Sequence, residues 1–319
     1  MNIIRYGGPM SRTRKVGSPI GYSSAGLTGF VSVWATTAIN ETITIPTQAG
    51  TFNADVDWGD GTTETITSST GFTHVYADID EYTISITGVF PNIYMNNGPE
   101  KLKIKRVTNL GTVGWTTFQN SFWGCTNLTE FTAGSTDTSS VTTMQTMFFN
   151  CSGLTSLDVS SFNTANVASM SNTFRGCSSL TSIDVSSFNT SSVTLMSAMF
   201  NSSTALTSLD LSSFNTTNVT SMNSLLFNCA ALTSLVGVED WDITGLDGTG
   251  SLTGFLTVGK MTTAQYDALL VKWRAQDPFN GMTTAFGASK YTGGGAAATA
   301  RQDLIDIDGW SISDGGIAP

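Results

Sequence analysis

Between Trp115 and Leu235 the apolar positions recur at one fixed interval, the distance from Leu128 to Leu154. Leu128, Leu154, Leu180, Leu206 and Leu232 make one column, and Phe131, Leu157, Ile183, Leu209 and Leu235 a second. Val141, Val167, Val193 and Val219 follow in register, as do Met144, Met170, Met196 and Met222. Phe122, Phe148, Phe174 and Phe200 form a further column closed by Leu226. A sustained period of this length predicts a solenoid, in which each coil buries its apolar residues against the next. Leu102 stands one interval before Leu128, so coils are expected to start near residues 102, 128, 154, 180, 206 and 232. Trp115, Phe118 and Phe122 fill the slots of Val141, Met144 and Phe148 in the first of them.

Within one coil, Leu154, Leu157 and Val159 fit a short strand with inward apolar side chains, while Ser156, Asp158 and Ser160 face outward. After a turn at Phe162 and Asn163, the spacing of Val167, Met170, Thr173 and Phe174 predicts one or two turns of helix. Gly124, Asn150, Gly176, Ser202 and Asn228 share one slot, and alternation of Gly with Asn predicts a positive φ there. The next slot holds Cys125, Cys151, Cys177 and Cys229, with Ser203 in the remaining coil. That column reads as buried reduced thiols at a site that wants a small side chain. One coil spacing would also allow a disulfide by distance.

Residues 29–100 alternate apolar and polar positions over 30–36, 41–46, 54–58, 62–67, 73–76 and 82–88, which predicts short strands. Gly59-Asp60-Gly61 is a tight-turn signal between two of them. Past the repeats, Trp241 stands one residue beyond the column of Phe162, Phe188 and Phe214, with Glu239, Asp240, Asp242 and Asp247 around it. Thr262 and Gln265 have capping-box spacing ahead of an apolar helix face of Tyr266, Leu269, Leu270 and Trp273. Residues 293–310 suggest a second short helix ending at Gly309, and 310–316 a final strand or tail.

The unit LTSLDVSSFNTANVASMSNTF (154–174) resembles the leucine-rich repeats of BspA-like bacterial surface proteins, over roughly residues 102–245. Residues 56–88, with Trp58, Gly59, Asp60, Gly61, His74, Tyr76 and Tyr82, resemble a PKD-type immunoglobulin-like β-sandwich, a module that implies a spacer or adhesion unit. The segment from Met261 onward looks like the C-terminal cap of BspA-type repeat proteins from phage and prophage genomes. The resulting expectation is a mainly β chain: an extended arm over 1–28, a PKD-like sandwich over 29–100, a leucine-rich-repeat solenoid over 101–256, and a small α/β cap over 257–319.

Composition narrows the function classes. Charged residues make up 12% of the 319, and the formal charge of −10 argues against a general nucleic-acid binder. Lys101, Lys103, Lys105 and Arg106 are read as an exposed, charged end of the coil stack; no aromatic interleaving supports a nucleic-acid patch there. Between Val107 and Gly259, Arg175 is the only basic residue. The arm carries Arg5, Arg12, Arg14 and Lys15 without an acidic residue and without the apolar stretch of a signal peptide. No run is long enough for a membrane span.

Candidate chemistry is sparse. Asp55, Asp57 and Asp60 invite a calcium reading, since hard cations take clustered oxygen ligands. The other reading is a solvated strand face and a turn-stabilising Asp. Asp158, Asp184 and Asp210 would stack along one sheet face, where like charges repel unless hydroxyls, cations or a ligand stabilise them. Flanking serines, among them Ser160, Ser186 and Ser212, can supply donors; alternatively the face binds a glycan or a partner protein. No hydrolase, P-loop, zinc-protease or dinucleotide motif is present, so an enzyme is not expected, nor a cofactor other than calcium.

The resemblances imply a bacteriophage structural protein: a tail fibre, adhesin or head decoration on the virion surface. Its arm would dock on other virion proteins and its repeats on a host glycan or protein, as a homo-oligomer on the particle. A bacterial cell-surface adhesin is the alternative, and a glycan-degrading enzyme the third reading.

Overall fold

The computed structural model describes residues 28–246, 248 and 250–319. The arm residues Arg5, Arg12, Arg14 and Lys15, and Asp247 beside Trp241, lie outside the described residues. The fold is mainly β, with thirteen strands and two α-helices among the described residues. One apolar core runs without interruption from Phe30 to Trp310.

All six strands expected before residue 100 form: β1 (Phe30–Ala35), β2 (Glu41–Thr44), β3 (Asn53–Asp57), β4 (Thr63–Ile66), β5 (Thr73–Tyr76) and β6 (Glu81–Val89). In β3, Ala54 and Val56 are buried while Asn53, Asp55 and Asp57 are exposed, the alternation of a half-buried strand. Gly59 and Gly61 turn the chain into β4 with φ of 79° and 95°. The antiparallel β2–β5 pair joins the rest through aromatic packing: His74 stacks on Trp58, and Tyr76 on Tyr82 with centroids 3.9 Å apart. The Tyr76 hydroxyl donates to the Trp58 carbonyl at 2.8 Å.

β7 (Ile104–Asn109) pairs antiparallel with β1 on one side and parallel with β8 (Glu130–Thr132) on the other. With β9 (Ser156–Asp158) this makes a seven-stranded sheet ordered β4-β3-β6-β1-β7-β8-β9. The expectation of an exposed, charged first coil is therefore wrong. The edge of the parallel ladder is covered by β1, and Lys103 turns inward to Glu41 and Glu100 at 3.2 and 3.1 Å. Leu102 is also misplaced by the period. It lies 47% exposed in a 3₁₀ turn, and the core takes Ile104 and Val107 instead. The register explains this: Val107 faces Phe131, where the repeat interval would have placed Lys105. Backbone stacking on the opposite side already begins at Phe90, whose N–H donates to the Val113 carbonyl at 2.8 Å.

The predicted helical turns are absent from the repeats among the described residues. In their place stands a ladder of tight turns. The N–H groups of Met144, Thr146, Phe148 and Asn150 donate to the carbonyls of Ser169, Ser171, Thr173 and Arg175 in the next coil, at 2.7–3.0 Å. The intervening N–H groups of Met147, Phe149 and Cys151 donate back three residues within their own coil. An α-helix would direct every amide to residue i−4. Here alternate amides leave the coil, which requires a left-handed residue every fourth position. Gly124, Asn150, Gly176, Ser202 and Asn228 all have positive φ, as the alternation of Gly with Asn in that column predicts. Asn120, Thr146, Asn172, Ala198 and Ser224 form a second such column.

Side chains reinforce the stack. Phe122, Phe148, Phe174 and Phe200 lie face to face at 5.4–5.8 Å between centroids. The four cysteines are free and buried. Cys151, Cys177 and Cys229 donate from Sγ to the carbonyls of Phe122, Phe148 and Phe200, and Ser203 donates from Oγ to Phe174 at 2.9 Å. The slot thus selects a small donor, which both residue types supply. Burial pushes the Cys177 and Cys229 thiols up to about 12, so they stay protonated. Buried Thr164 donates to the Asn189 carbonyl (2.9 Å) and accepts from the Asn189 N–H (2.8 Å); Thr138 and Thr190 do the same in their coils.

On the strand side β10 (Ser208–Asp210) and β11 (Ser234–Val236) pair in parallel. Beyond them Trp241 is 2% exposed and stacks on Phe214, taking the place of the Phe column despite its one-residue slip. The turn ladder continues past the repeats: Met222, Ser224 and Leu226 donate to Ser251, Thr253 and Phe255. α1 (Thr263–Arg274) opens with the expected capping box of Thr262 and Gln265. It leads to β12 (Thr283–Ala285), and α2 (Ala296–Asp306) leads to β13 (Ser311–Ser313), parallel to β12. Helices here replace the short strands as the return path of each coil, while the ladder goes on through Leu256–Ala285 and Phe286–Ser313 hydrogen bonds.

Candidate functional site

The strand side is interrupted at one coil. Among the described residues, Ser182–Asp184 pairs with neither β9 nor β10, although the turn ladder is unbroken through the same coil. Where the pairing lapses, a shallow cleft of ≈ 410 Å³ opens. It is lined by Ser182, Asp184, Ser186, Ser208, Asp210 and Ser212, with Ile183 and Val185 beneath. Four of the six residues singled out from the sequence are thus brought together. Asp158 and Ser160, one coil back, do not line it.

Each carboxylate is held by the residue two positions on. Asp210 Oδ1 accepts from the Ser212 N–H at 2.9 Å and its hydroxyl at 2.6 Å; Asp158 accepts likewise from Ser160 at 3.0 and 2.7 Å. Asp184 accepts from the Ser186 N–H at 2.9 Å. The Ser212 hydroxyl, then its N–H, hold the Asp210 carboxyl below its usual range, against desolvation and, after it, an opposing push from Asp184. The Ser186 hydroxyl and then its N–H do the same for Asp184. These local turns keep both groups ionised and aimed at solvent, so the cleft presents two fixed anions amid hydroxyls. Such a surface can accept hydrogen bonds from hydroxyl-rich ligands.

Asp55, Asp57 and Asp60 are not gathered into one group. Asp55 accepts from Thr65 Oγ1 at 2.6 Å, and Asp57 from the Gly59 N–H at 2.9 Å. Asp60 turns away to Thr62 and to His74 Nε2, 2.8 Å from its Oδ2. Among the described residues no three acidic, His or Cys side chains are arranged to hold a metal ion. No described helix is long and apolar enough to cross a membrane.

A second surface feature escaped the sequence reading. Trp123 and Phe149 stack at 5.5 Å, 19° from parallel, and the Arg175 guanidinium lies over Phe149 at 5.0 Å. These three positions follow the same repeat interval, but their mixed chemistry conceals the column.

Two overlapping stretches, residues 92–183 and 116–241, match the protein family described as "Mycoplasma protein of unknown function, DUF285". The first begins close to Phe90, where the coil stacking starts, rather than at residue 101. No curated protein and no solved structure matches the chain.

Proposed function

We propose that this protein is a bacteriophage structural virion protein, anchored through residues 1–28 and presenting its repeats to the host surface. In this reading the strands before residue 90 are a PKD-type immunoglobulin-like sandwich, and the stacked coils a BspA-like leucine-rich-repeat solenoid ending in a small α/β cap. The observation that carries it is the hydroxyl-lined acidic cleft on one side of a rigid coil stack. A surface of short fixed side chains loses little conformational entropy on meeting a polyhydroxylated ligand. The function is adhesive rather than enzymatic, and the partners are virion proteins on one side and a host glycan or protein on the other.

The test is incorporation. Deleting residues 1–28 is expected to remove the protein from purified particles, read by mass spectrometry, while circular dichroism of the isolated chain is unchanged. Undiminished incorporation would overturn the anchoring role. A second reading, a bacterial cell-surface adhesin, is favoured by the match to a family described from Mycoplasma. Recovery of the protein from a bacterial envelope and not from particles would establish it instead.

A further inference from the structure

Charge is segregated between the two sides of the coil stack. The turn-ladder segments 115–125, 141–151, 167–177, 193–203 and 219–229 contain no Asp or Glu and a single base, Arg175. The acidic residues Glu130, Asp137, Asp158, Asp184 and Asp210 all lie outside these segments. An anion approaching repeats beyond the first therefore meets repulsion on the strand side, while the ladder side offers Arg175 and, at its first turn beside Gly124, Lys101, whose Nζ donates to Asn97 Oδ1.

The Arg175 guanidinium is held in place. Arg175 rests on the Phe149 ring, which in turn stacks on Trp123, and its Nη1 donates to Asn172 Oδ1 at 3.2 Å. Among the described residues no carboxylate lies within ion-pair distance of it. Its remaining N–H groups are free to grip a planar anion in the forked geometry that guanidinium offers. Around it stand amides and partly exposed aromatic rings: Asn150, Asn172, Trp123 and Phe149. Amides that bond hydroxyls, beside apolar ring surface, suit a sugar better than a peptide strand, since every ladder amide of Phe148, Asn150, Phe174 and Gly176 is already used between coils.

We propose that the Trp123–Phe149–Arg175 column binds a carboxylated saccharide. The proposal rests on the host-attachment reading but names a different face from the acidic cleft, and it assigns Arg175 to the carboxylate and the partly exposed edges of the two rings to the C–H groups of the sugar.

The experiment is an oligosaccharide array carrying uronic- and sialic-acid glycans alongside their methyl-esterified counterparts, probed with the full chain. Retention is expected to be stronger on the carboxylated members than on their esters, and that difference is expected to shrink at high salt. Arg175→Gln should reduce it roughly tenfold or more, as loss of a charge-assisted hydrogen bond does. Arg175→Lys, which keeps the charge but not the fork, should fall between. Glu130→Gln with Asp137→Asn, exposed residues outside both surfaces, should leave it unchanged. Equal retention of esters and acids, retention indifferent to Arg175→Gln in a chain with an unaltered melting transition, or capture of proteins but no glycan would each overturn the proposal. If Arg175→Gln leaves attachment to host cells intact, the attachment reading survives and this site does not.

Discussion

Individual side chains do two jobs in this protein, and the Thr column shows the less visible one. Thr164 is 2% exposed and bonds both the N–H and the carbonyl of Asn189 in the following coil. Thr164→Val keeps the shape and removes both bonds, so a loss of about 1–3 kcal/mol is expected in urea denaturation. Unchanged stability would show that water replaces them. Gly176 has φ of +74°, and an added Cβ would lie 2.3 Å from Asn150 Oδ1. Gly176→Ala is therefore expected to lower stability by at least about 1 kcal/mol in the same assay. The Gly176 site was legible because Gly and Asn alternate in its column. The second left-handed column was not, because Thr146, Ala198 and Ser224 do not advertise positive φ. Likewise the break at Ser182–Asp184 is invisible in the chain: LTSIDVSSF differs from the paired LTSLDVSSF only at Ile183.

At the level of elements, the six N-terminal strands, the capping box of α1 and β13 were readable because each depends on a local pattern. The turn ladder was misread as helix for a physical reason. Apolar residues three and four apart suit an α-helix, but a chain reversing every fourth residue buries the same positions. What decides between them is hydrogen bonding to a neighbouring coil, which no local window contains. The loop before β2 carries a pH-dependent feature. The Thr37 N–H first, then Ala38 and Lys103, hold Glu41 down at about 2 against desolvation. A carboxylate so depressed contributes stability that is complete above its ordinary value of about 4.5 and is lost as pH falls towards about 2. Thermal melts across that window should show a decline that Glu41→Gln flattens; an identical decline in the variant would assign it to other carboxylates.

For the whole molecule, the junction near residue 100 matters most. The sequence pattern leads one to expect a boundary there, yet β7 is hydrogen-bonded on both edges and belongs to one seven-stranded sheet. Residues 90–95 also supply the first rung of the turn ladder through Val113 and Ser121. A fragment of residues 101–319 would expose the β1-facing edge of β7 and strip that rung, so it is expected to aggregate or melt well below the full chain. A fragment that melted with the full chain would mean the two parts are energetically separate. The register shift at Phe131, which meets Val107 in place of Lys105, is where a regular repeat adapts to an antiparallel neighbour.

The alternation of amides between own-coil and next-coil partners has a genetic corollary. Because each repeat offers its successor the same row of donors and receives the same row from its predecessor, an in-frame duplication or loss of one whole repeat leaves every remaining bond with an equivalent mate. The reach of the molecule can then be lengthened or shortened in steps of about 4.8 Å, while the described elements on either side of the repeats keep their own structure.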